Sequence, residues 1–403
     1  MMAPIGDRVL ERIDRGLAEG SIDATLPGGE KRIIGGHAPG PCAVVHVVRW
    51  RALRRLAAGG SAGWYEAWAA GDWTSPDPVV LFELFMRNRR TLGNVGRARG
   101  VSRLARRAWH WLRRNHRAGA RRNIAAHYDL GNDFYREWLD PSLTYSSALF
   151  DEPISPAQSL EAAQQAKLAA ILGRASVEAG DTILEIGCGW GSFAAAASAS
   201  GARVHGITLS AEQKAFVDSR DLPGVTVSLT DYRDVIGQYD AVASIEMVEA
   251  VGAEYWPAYL HAVAGALKPG GRAALQLISI DDAIFESYAS SVDFIQRYIF
   301  PGGLLISESR FRAIAERAGL TWQDRRGFGL HYAETLLRWR GDFDAAVAEG
   351  RLPARFDAGF AAMWRYYLMY CEGGFRGGGI DVAQVTLVKK LAVDTLKMAS
   401  LEA

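Results

Sequence analysis

The sequence predicts an α/β protein built on an open, mostly parallel sheet, preceded by a smaller mixed α+β domain. Three observations lead there. From about residue 160, short apolar runs alternate with helical stretches at the spacing of βαβ units. A glycine-rich turn, Gly187-Cys188-Gly189-Trp190-Gly191, follows the first of those runs. The length, 403 residues, exceeds one ordinary domain and fits two.

Residues 1–90 read as the small domain. Ala43 to Val48 is a strand after a turn at Gly40 and Pro41, and Leu53 to Ala58 and Pro78 to Met86 are helical in pattern. Between them lies GWYEAWAAGDWTSPD, dense in Trp and Gly. Residues 91–122 read as a basic amphipathic linker, with Leu104, Ala105, Ala108, Trp109 and Leu112 at helical spacing among arginines. Residues 123–403 form the third part. Its helices are expected at Ser159–Leu172, after Ser192, at Ala211–Ser219 and at Tyr255–Leu267. Its strands are expected at Thr182–Ile186, Arg203–Ile207, Val225–Leu229, Tyr239–Ile245 and Arg272–Ile280. Phe285–Tyr298 and Phe343–Tyr370 are helical and stand outside the sheet as a cap or lid.

Hydrophobic residues make up 49% and charged residues 23%, which excludes a disordered, collagen-like or disulfide-scaffold chain. Cys42, Cys188 and Cys371 lack metal-cluster spacing, so no metal is expected and a reducing compartment is the simplest reading. The net charge of +1 conceals an acid-free run from Arg87 to Arg122. The N-terminal residues MMAPIGDRVLERID carry Asp7, Glu11 and Asp14 and no apolar core of a signal peptide. No stretch approaches the roughly 20 apolar residues of a spanning helix. The expectation is a cytoplasmic protein that meets membranes only peripherally.

The glycine loop departs from the G-x-G-x-x-G dinucleotide fingerprint, and no acidic residue closes the second strand. Glu185 precedes the glycines, and polar groups recur at the following strand ends: Thr230-Asp231-Tyr232-Arg233-Asp234 and Ser244-Ile245-Glu246-Met247-Val248-Glu249. Such groups converge on one crevice in a sheet of this kind. Asp231 is placed to accept from an adenine amino group, and Asp234 is read as a structural cap.

LEIGCGWGSFA resembles the first motif of class I S-adenosylmethionine-dependent methyltransferases. The wider set is NIAAHYDLGNDFYREWLDPSLTYSSALF, GITLSAEQ, SIEMVEAVG, DFIQRYIFPGG and HYAETLLRW. It resembles the cyclopropane-fatty-acyl-phospholipid synthases and their mycolic-acid-modifying relatives over roughly 120 to 395. The region containing GWYEAWAAGDW is similar to the small lipid-carrier-like domain that precedes the catalytic domain in the bacterial synthases. The resemblance implies a Rossmann-like class I methyltransferase sheet with a helical cap. It implies S-adenosyl-L-methionine held by Gly187, Gly189 and Gly191 at its amino acid end, with Tyr128 and Ser146 nearby. Thr208, Leu209 and Gln213 lie along the ribose side, and Asp231 and Tyr232 by the adenine.

The implied reaction methylates a cis double bond of a phospholipid acyl chain and leaves a carbocation. Aromatic rings stabilise such a cation without quenching it; Phe294, Tyr298, Phe300, Tyr332 and Trp364 are candidates, and Tyr332 matches a family active-site tyrosine. The resemblance assigns proton removal to a bound bicarbonate held by Cys, Glu, His and Tyr side chains and a backbone amide. Glu249 matches that glutamate. Ser147 stands where the family has cysteine, Ala250 where a histidine follows the glutamate, and Gln276 where strand five carries a histidine. Serine and glutamine still donate hydrogen bonds, but the imidazole's proton shuttle is lost. Proton loss from the new methyl closes a cyclopropane ring, whereas proton loss without ring closure leaves a methylene- or methyl-branched unsaturated chain. Ring closure, the outcome across most of the family, is the leading expectation, and the branched product is its alternative.

The arginine belt suits an anionic membrane surface; beside this signature a nucleic-acid partner is not expected. A homodimer is expected from the relatives' behaviour. A non-catalytic lipid-binding protein and a small-molecule methyltransferase are the remaining alternatives.

Overall fold

The computed structural model describes residues 3–93 and 130–391. In chain order its elements begin α1 (Ala3–Gly16), β1 (Ser21–Thr25), β2 (Lys31–Gly35), β3 (Cys42–Val47), α2 (Arg51–Ala69), β4 (Trp73–Thr74) and α3 (Pro78–Arg87). Then come α4 (Leu160–Ala175), β5 (Thr182–Ile186), α5 (Ser192–Ala199), β6 (Arg203–Thr208), α6 (Ala211–Asp218), β7 (Val225–Leu229) and β8 (Tyr239–Ile245). The remainder is α7 (Trp256–Ala266), β9 (Leu267–Ile280), α8 (Asp282–Ala289), α9 (Glu308–Arg317), β10 (Leu320–Gly327), α10 (Gly329–Ala348), α11 (Ala358–Arg376) and β11 (Ile380–Lys389). Most of the linker expected over 91–122 lies outside the described residues. The described residues form two compact units that do not follow chain order. One draws on 3–93, 280–303 and 332–381, the other on 130–279, 304–331 and 382–391.

The first unit carries a four-stranded sheet in the order β2-β1-β3-β4. The helix expected over Leu53–Ala58 is longer: α2 runs on through GWYEAW and breaks its helical geometry only at Gly60 (φ 60°, ψ −145°). Trp64 on α2 stacks on Trp73 of β4 at 4.3 Å, and the Trp73 indole N–H donates to the Trp64 carbonyl at 3.0 Å. Asp72, fully buried, receives Arg49, Arg51 and Arg55 at 3.2, 2.8 and 3.0 Å. The Arg51 hydrogen bonds do most to hold its carboxyl below the ordinary range. Asp77 starts α3 by accepting from the Val79 N–H at 3.0 Å, with Pro78 at the first helical position.

The two helical stretches read outside the sheet belong to this unit, in altered form. Phe285–Tyr298 is not one helix: α8 ends at Ala289, and a π-helical turn, Ile295–Ile299, follows. Phe343–Tyr370 is two helices, because Gly350 and Pro353 interrupt the pattern and Asp357 caps α11 afresh by accepting from the Phe360 N–H at 2.7 Å.

The second unit holds a seven-stranded sheet in the order β10-β11-β9-β8-β5-β6-β7. β5 pairs in parallel with β6 and β8, β6 with β7, and β8 with β9. This is the sheet expected, on nearly the residues expected, except that β9 begins at Leu267 and not at Arg272; β10 and β11 are added as an antiparallel pair. β11 alternates apolar and polar residues from Ala383 to Leu387, yet Val382 to Leu387 is buried without a break, Gln384 and Thr386 included. Ser159 and Ser210 cap α4 and α6 by accepting from Ala162 and Gln213 N–H groups. Apolar residues of α4, α5 and the central strands, among them Leu168, Ile171, Ile183, Phe193 and Val204, make the core beneath the strand ends.

Candidate active site

The parallel strands β5 to β8 end at one crevice, as in other open α/β sheets. The residues around it line a single cleft of the second unit. At its floor β5 runs into the glycine turn. Gly187, Gly189 and Gly191 all have positive φ (83°, 52° and 80°). A Cβ on Gly187 would meet the Met247 side chain at 2.8 Å and one on Gly191 the Val217 side chain at 2.9 Å, so glycine is required at both. Gly187 and Gly189 line the cleft, and Gly191 starts α5 beside them.

Ser146, Thr208, Leu209, Gln213, Asp231 and Tyr232, the other described residues expected around the cofactor, line the same cleft. Tyr128 lies outside the described residues. Thr208 Oγ1 donates to Gln213 Oε1 at 2.7 Å and accepts from the Ser210 N–H, which joins the end of β6 to the start of α6. Asp231 is more engaged than a waiting adenine acceptor. Arg233 donates to its two carboxylate oxygens at 2.8 and 2.6 Å, and the Arg233 N–H donates to Oδ1 at 3.0 Å. Asp231, not Asp234, thus caps the short turn Tyr232–Asp234.

Two more buried groups line the cleft: Lys167, which the sequence reading does not single out, and Glu185, which it places before the glycines without a role. Lys167 on α4 donates to Ser146 Oγ at 2.7 Å. Burial pulls its pKa down to about 8 against the pull of Glu246, Asp140 and Glu185. Glu185, at the end of β5, is raised well above the ordinary carboxyl range by burial. Its Oε2 has no hydrogen-bond partner among the described residues. A buried, unpartnered carboxyl oxygen beside a glycine cradle suits the amino group of an amino acid ligand. The residues present therefore fit the amino acid end of S-adenosylmethionine.

The catalytic candidates divide between the units. Tyr332, in the first unit, is buried and stacks on Phe375 at 4.5 Å. Ser147, Gln276 and Glu249 are in the second. Ser147 and Gln276 meet: Gln276 Nε2 donates to the Ser147 carbonyl at 3.2 Å, and its Oε1 accepts from Gln384 Nε2 at 3.0 Å. Glu249 Oε1 accepts from the Ile278 N–H, two residues along β9 from Gln276. Burial raises the Glu249 carboxyl to about 8, and its Oε2 makes no hydrogen bond among the described residues.

A second carboxyl completes this cluster. Glu246, immediately after β8, lines the cleft and has a left-handed φ of 50°. Its Oε1 accepts from the Ser147 N–H at 2.8 Å and from Gln276 Nε2 at 2.7 Å. The available signal in the sequence is its place in SIEMVE, one residue past an apolar strand.

A family model described as mycolic acid cyclopropane synthetase matches residues 115–385. A tuberculostearic acid methyltransferase of Mycobacterium tuberculosis is 38% identical over 358 residues, covering 84% of this chain and 81% of that one. The cyclopropane-fatty-acyl-phospholipid synthase of Escherichia coli is 37% identical over 262 residues, covering 64% of this chain and just under two thirds, 65%, of that one. Among solved structures, a mycolic acid cyclopropane synthase complexed with SAH and CTAB superposes with a TM-score of 0.62 at 32% identity, covering 67% of this chain and 98% of that chain.

Proposed function

Because the chain belongs to the mycolic acid cyclopropane synthetase family of S-adenosylmethionine-dependent lipid methyltransferases, we propose that it methylates a cis double bond of an unsaturated phospholipid acyl chain. We propose further that the product is a methylene- or methyl-branched unsaturated chain, formed without ring closure. One observation carries the choice of product. The relative matched across 84% of this chain is named for methyl transfer and not for ring formation. Ring closure remains the second reading, favoured by the similarity to the Escherichia coli synthase.

When bound, S-adenosylmethionine supplies an electrophilic methyl group on a positively charged sulfur. The chain's own residues do the rest. Gly187, Gly189, Gly191 and Glu185 hold the amino acid end, and Lys167 fixes Ser146 beside it. Thr208, Leu209 and Gln213 take the ribose side, and Asp231, steadied by Arg233, and Tyr232 take the adenine side. An alkene is a weak nucleophile, so alignment in a dry slot supplies much of the rate. Glu249, its carboxyl buried and raised to about 8, supports the proton-removing step from a protonated state at neutral pH. The arginine-rich segment from Arg87 to Arg122 suits an anionic bilayer surface, so vesicles containing anionic phospholipid are the better substrate.

Expression in a host without such enzymes, followed by gas chromatography–mass spectrometry of its fatty acids, tests the reading. A ring and a methylene branch add the same atoms to the chain. Mild catalytic hydrogenation adds two hydrogens to the branch alkene and leaves the ring intact. The expected product takes up hydrogen; a product that resists it establishes ring closure. A Glu249→Gln enzyme with full turnover and unchanged products would remove Glu249 from the mechanism.

A further inference from the structure

The cluster at the end of β8 assigns a role that the family resemblance gives to a bound anion. Ser147 and Gln276 stand at two of the positions where that resemblance expects a bicarbonate to be held. In this chain a side chain already takes their hydrogen bonds: Glu246 Oε1 accepts from the Ser147 N–H at 2.8 Å and from Gln276 Nε2 at 2.7 Å. The backbone reinforces the arrangement. The Glu246 N–H donates to the Gln276 carbonyl at 2.8 Å, and Gln384 holds the far end of Gln276 at 3.0 Å. Glu246 keeps this place at φ 50°, a conformation costly for a residue with a Cβ. Strain retained by a carboxyl that lines the cleft points to a use for that carboxyl.

We propose that Glu246 is the proton acceptor of the reaction and replaces an exogenous bicarbonate. The inference rests on the reading of the protein as an acyl-chain methyltransferase. The double bond's electron pair forms the new C–C bond while the carbon–sulfur bond breaks, its electrons staying on sulfur, and the chain becomes a cation. For a ring or a methyl-branched alkene directly, and for a methylene branch after a hydride shifts from the methylated carbon to the cationic one, a C–H bond of the new methyl or of the chain gives its proton to the Glu246 carboxylate and its electron pair to the ring bond or the new C=C bond. The carboxylic acid so formed returns its proton to water.

The test compares wild type, Glu246→Gln and Glu246→Gly. Glutamine keeps the shape and an acceptor oxygen, and glycine relieves the positive φ, so both chains are expected to fold. Both should bind S-adenosylmethionine by calorimetry with affinity within a few-fold of wild type. With unsaturated phospholipid vesicles, turnover should fall by about 100-fold or more in both. Wild-type turnover should be the same in carbon-dioxide-free buffer as in bicarbonate. Bicarbonate should restore turnover in Glu246→Gly, where the cradle is vacated, and not in Glu246→Gln. Carbon-13 resonance broadening of labelled bicarbonate reads the cradle without turnover: Glu246→Gly should broaden it and wild type should not. A Glu246→Gln enzyme within ten-fold of wild type, or a wild type that needs bicarbonate, overturns the proposal. A wild type that methylates no acyl chain counts against the acyl-chain reading alone, and the resonance comparison still decides whether Glu246 fills the cradle.

Discussion

Glu249 turns burial into a measurable pH effect. Its carboxyl titrates near 4.5 in an unfolded chain and is raised to about 8 in the fold, chiefly by desolvation. Between those two values the folded protein holds a proton that the unfolded chain releases. Stability therefore falls as pH rises from 4.5 towards about 8 and levels beyond. Glu249→Gln cannot ionise, so its Tm should fall less across that window than wild type's. Thermal unfolding of both proteins at several pH values between those limits checks this; parallel slopes would mean that Glu249 ionises in the fold as readily as outside it. At this scale the sequence was informative where chemistry follows chain position. The glycines and Asp231 sit at strand ends, which periodicity locates, whereas Thr208, Gln213 and Tyr232 are legible through the family resemblance. Lys167 escaped because it lies among the buried Ala163, Leu168 and Ile171 of an ordinary helix, with nothing in its spacing to separate it from a solvated lysine. Glu246 is located at a strand end that faces the crevice but carries no assigned role, because its importance lies in a left-handed φ and in partners 99 and 30 residues away.

Among the elements, α3 and α11 show how closely two helices approach when glycine faces the contact. A Cβ on Gly373 would lie 2.5 Å from Phe82 Cβ and 2.7 Å from the Val79 carbonyl oxygen. One on Gly377 would lie 2.5 Å from Met86 Cβ and 2.7 Å from the Glu83 carbonyl oxygen. These are backbone and branch-point atoms, which cannot rotate away. Gly373→Val should force the helices apart and cost about 1–3 kcal/mol. Gly341, within α10, has open space where its Cβ would go. Gly341→Ala should be neutral or stabilise by up to about 1 kcal/mol, since alanine restores helix propensity. Urea unfolding of the two variants separates packing from propensity; equal effects would refute the close approach. The same comparison shows why the helices were harder to read than the central strands. β5 to β8 are short apolar runs bounded by turns, whereas α11 spends part of its inner face on glycines, which carry no hydrophobic signal.

For the whole molecule, the division of labour along the chain differs from the division in space. A small domain ending near residue 90 and a catalytic part beginning near 123 follow from the acid-free belt between them and from the family resemblance. In the structure the aromatic core of the first unit is built from both parts. Tyr65 of α2 packs its ring against Phe294, Tyr298 and Tyr366 at 4.8, 4.9 and 5.0 Å. Phe82 of α3 meets Tyr366 and Tyr370, each at 5.3 Å. Polar links run the same way: Glu66 accepts from Tyr298 Oη at 3.0 Å and pairs with Arg297 at 2.8 Å, while Arg89 and Arg90 hold Asp281, the cap of α8, at 2.7 and 2.8 Å. Removing residues 1–122 would strip the partners from a row of aromatic side chains and leave Asp281 without its arginines. Exposed apolar surface of that extent drives association. A chain beginning at Asn123 should therefore aggregate or bind a hydrophobic dye strongly, and co-expression with residues 1–122 should restore a soluble complex. Size-exclusion chromatography and dye fluorescence measure both outcomes. A monodisperse truncated chain with cooperative unfolding would show that the segments 280–303 and 332–381 hold their fold without the residues they pack against here.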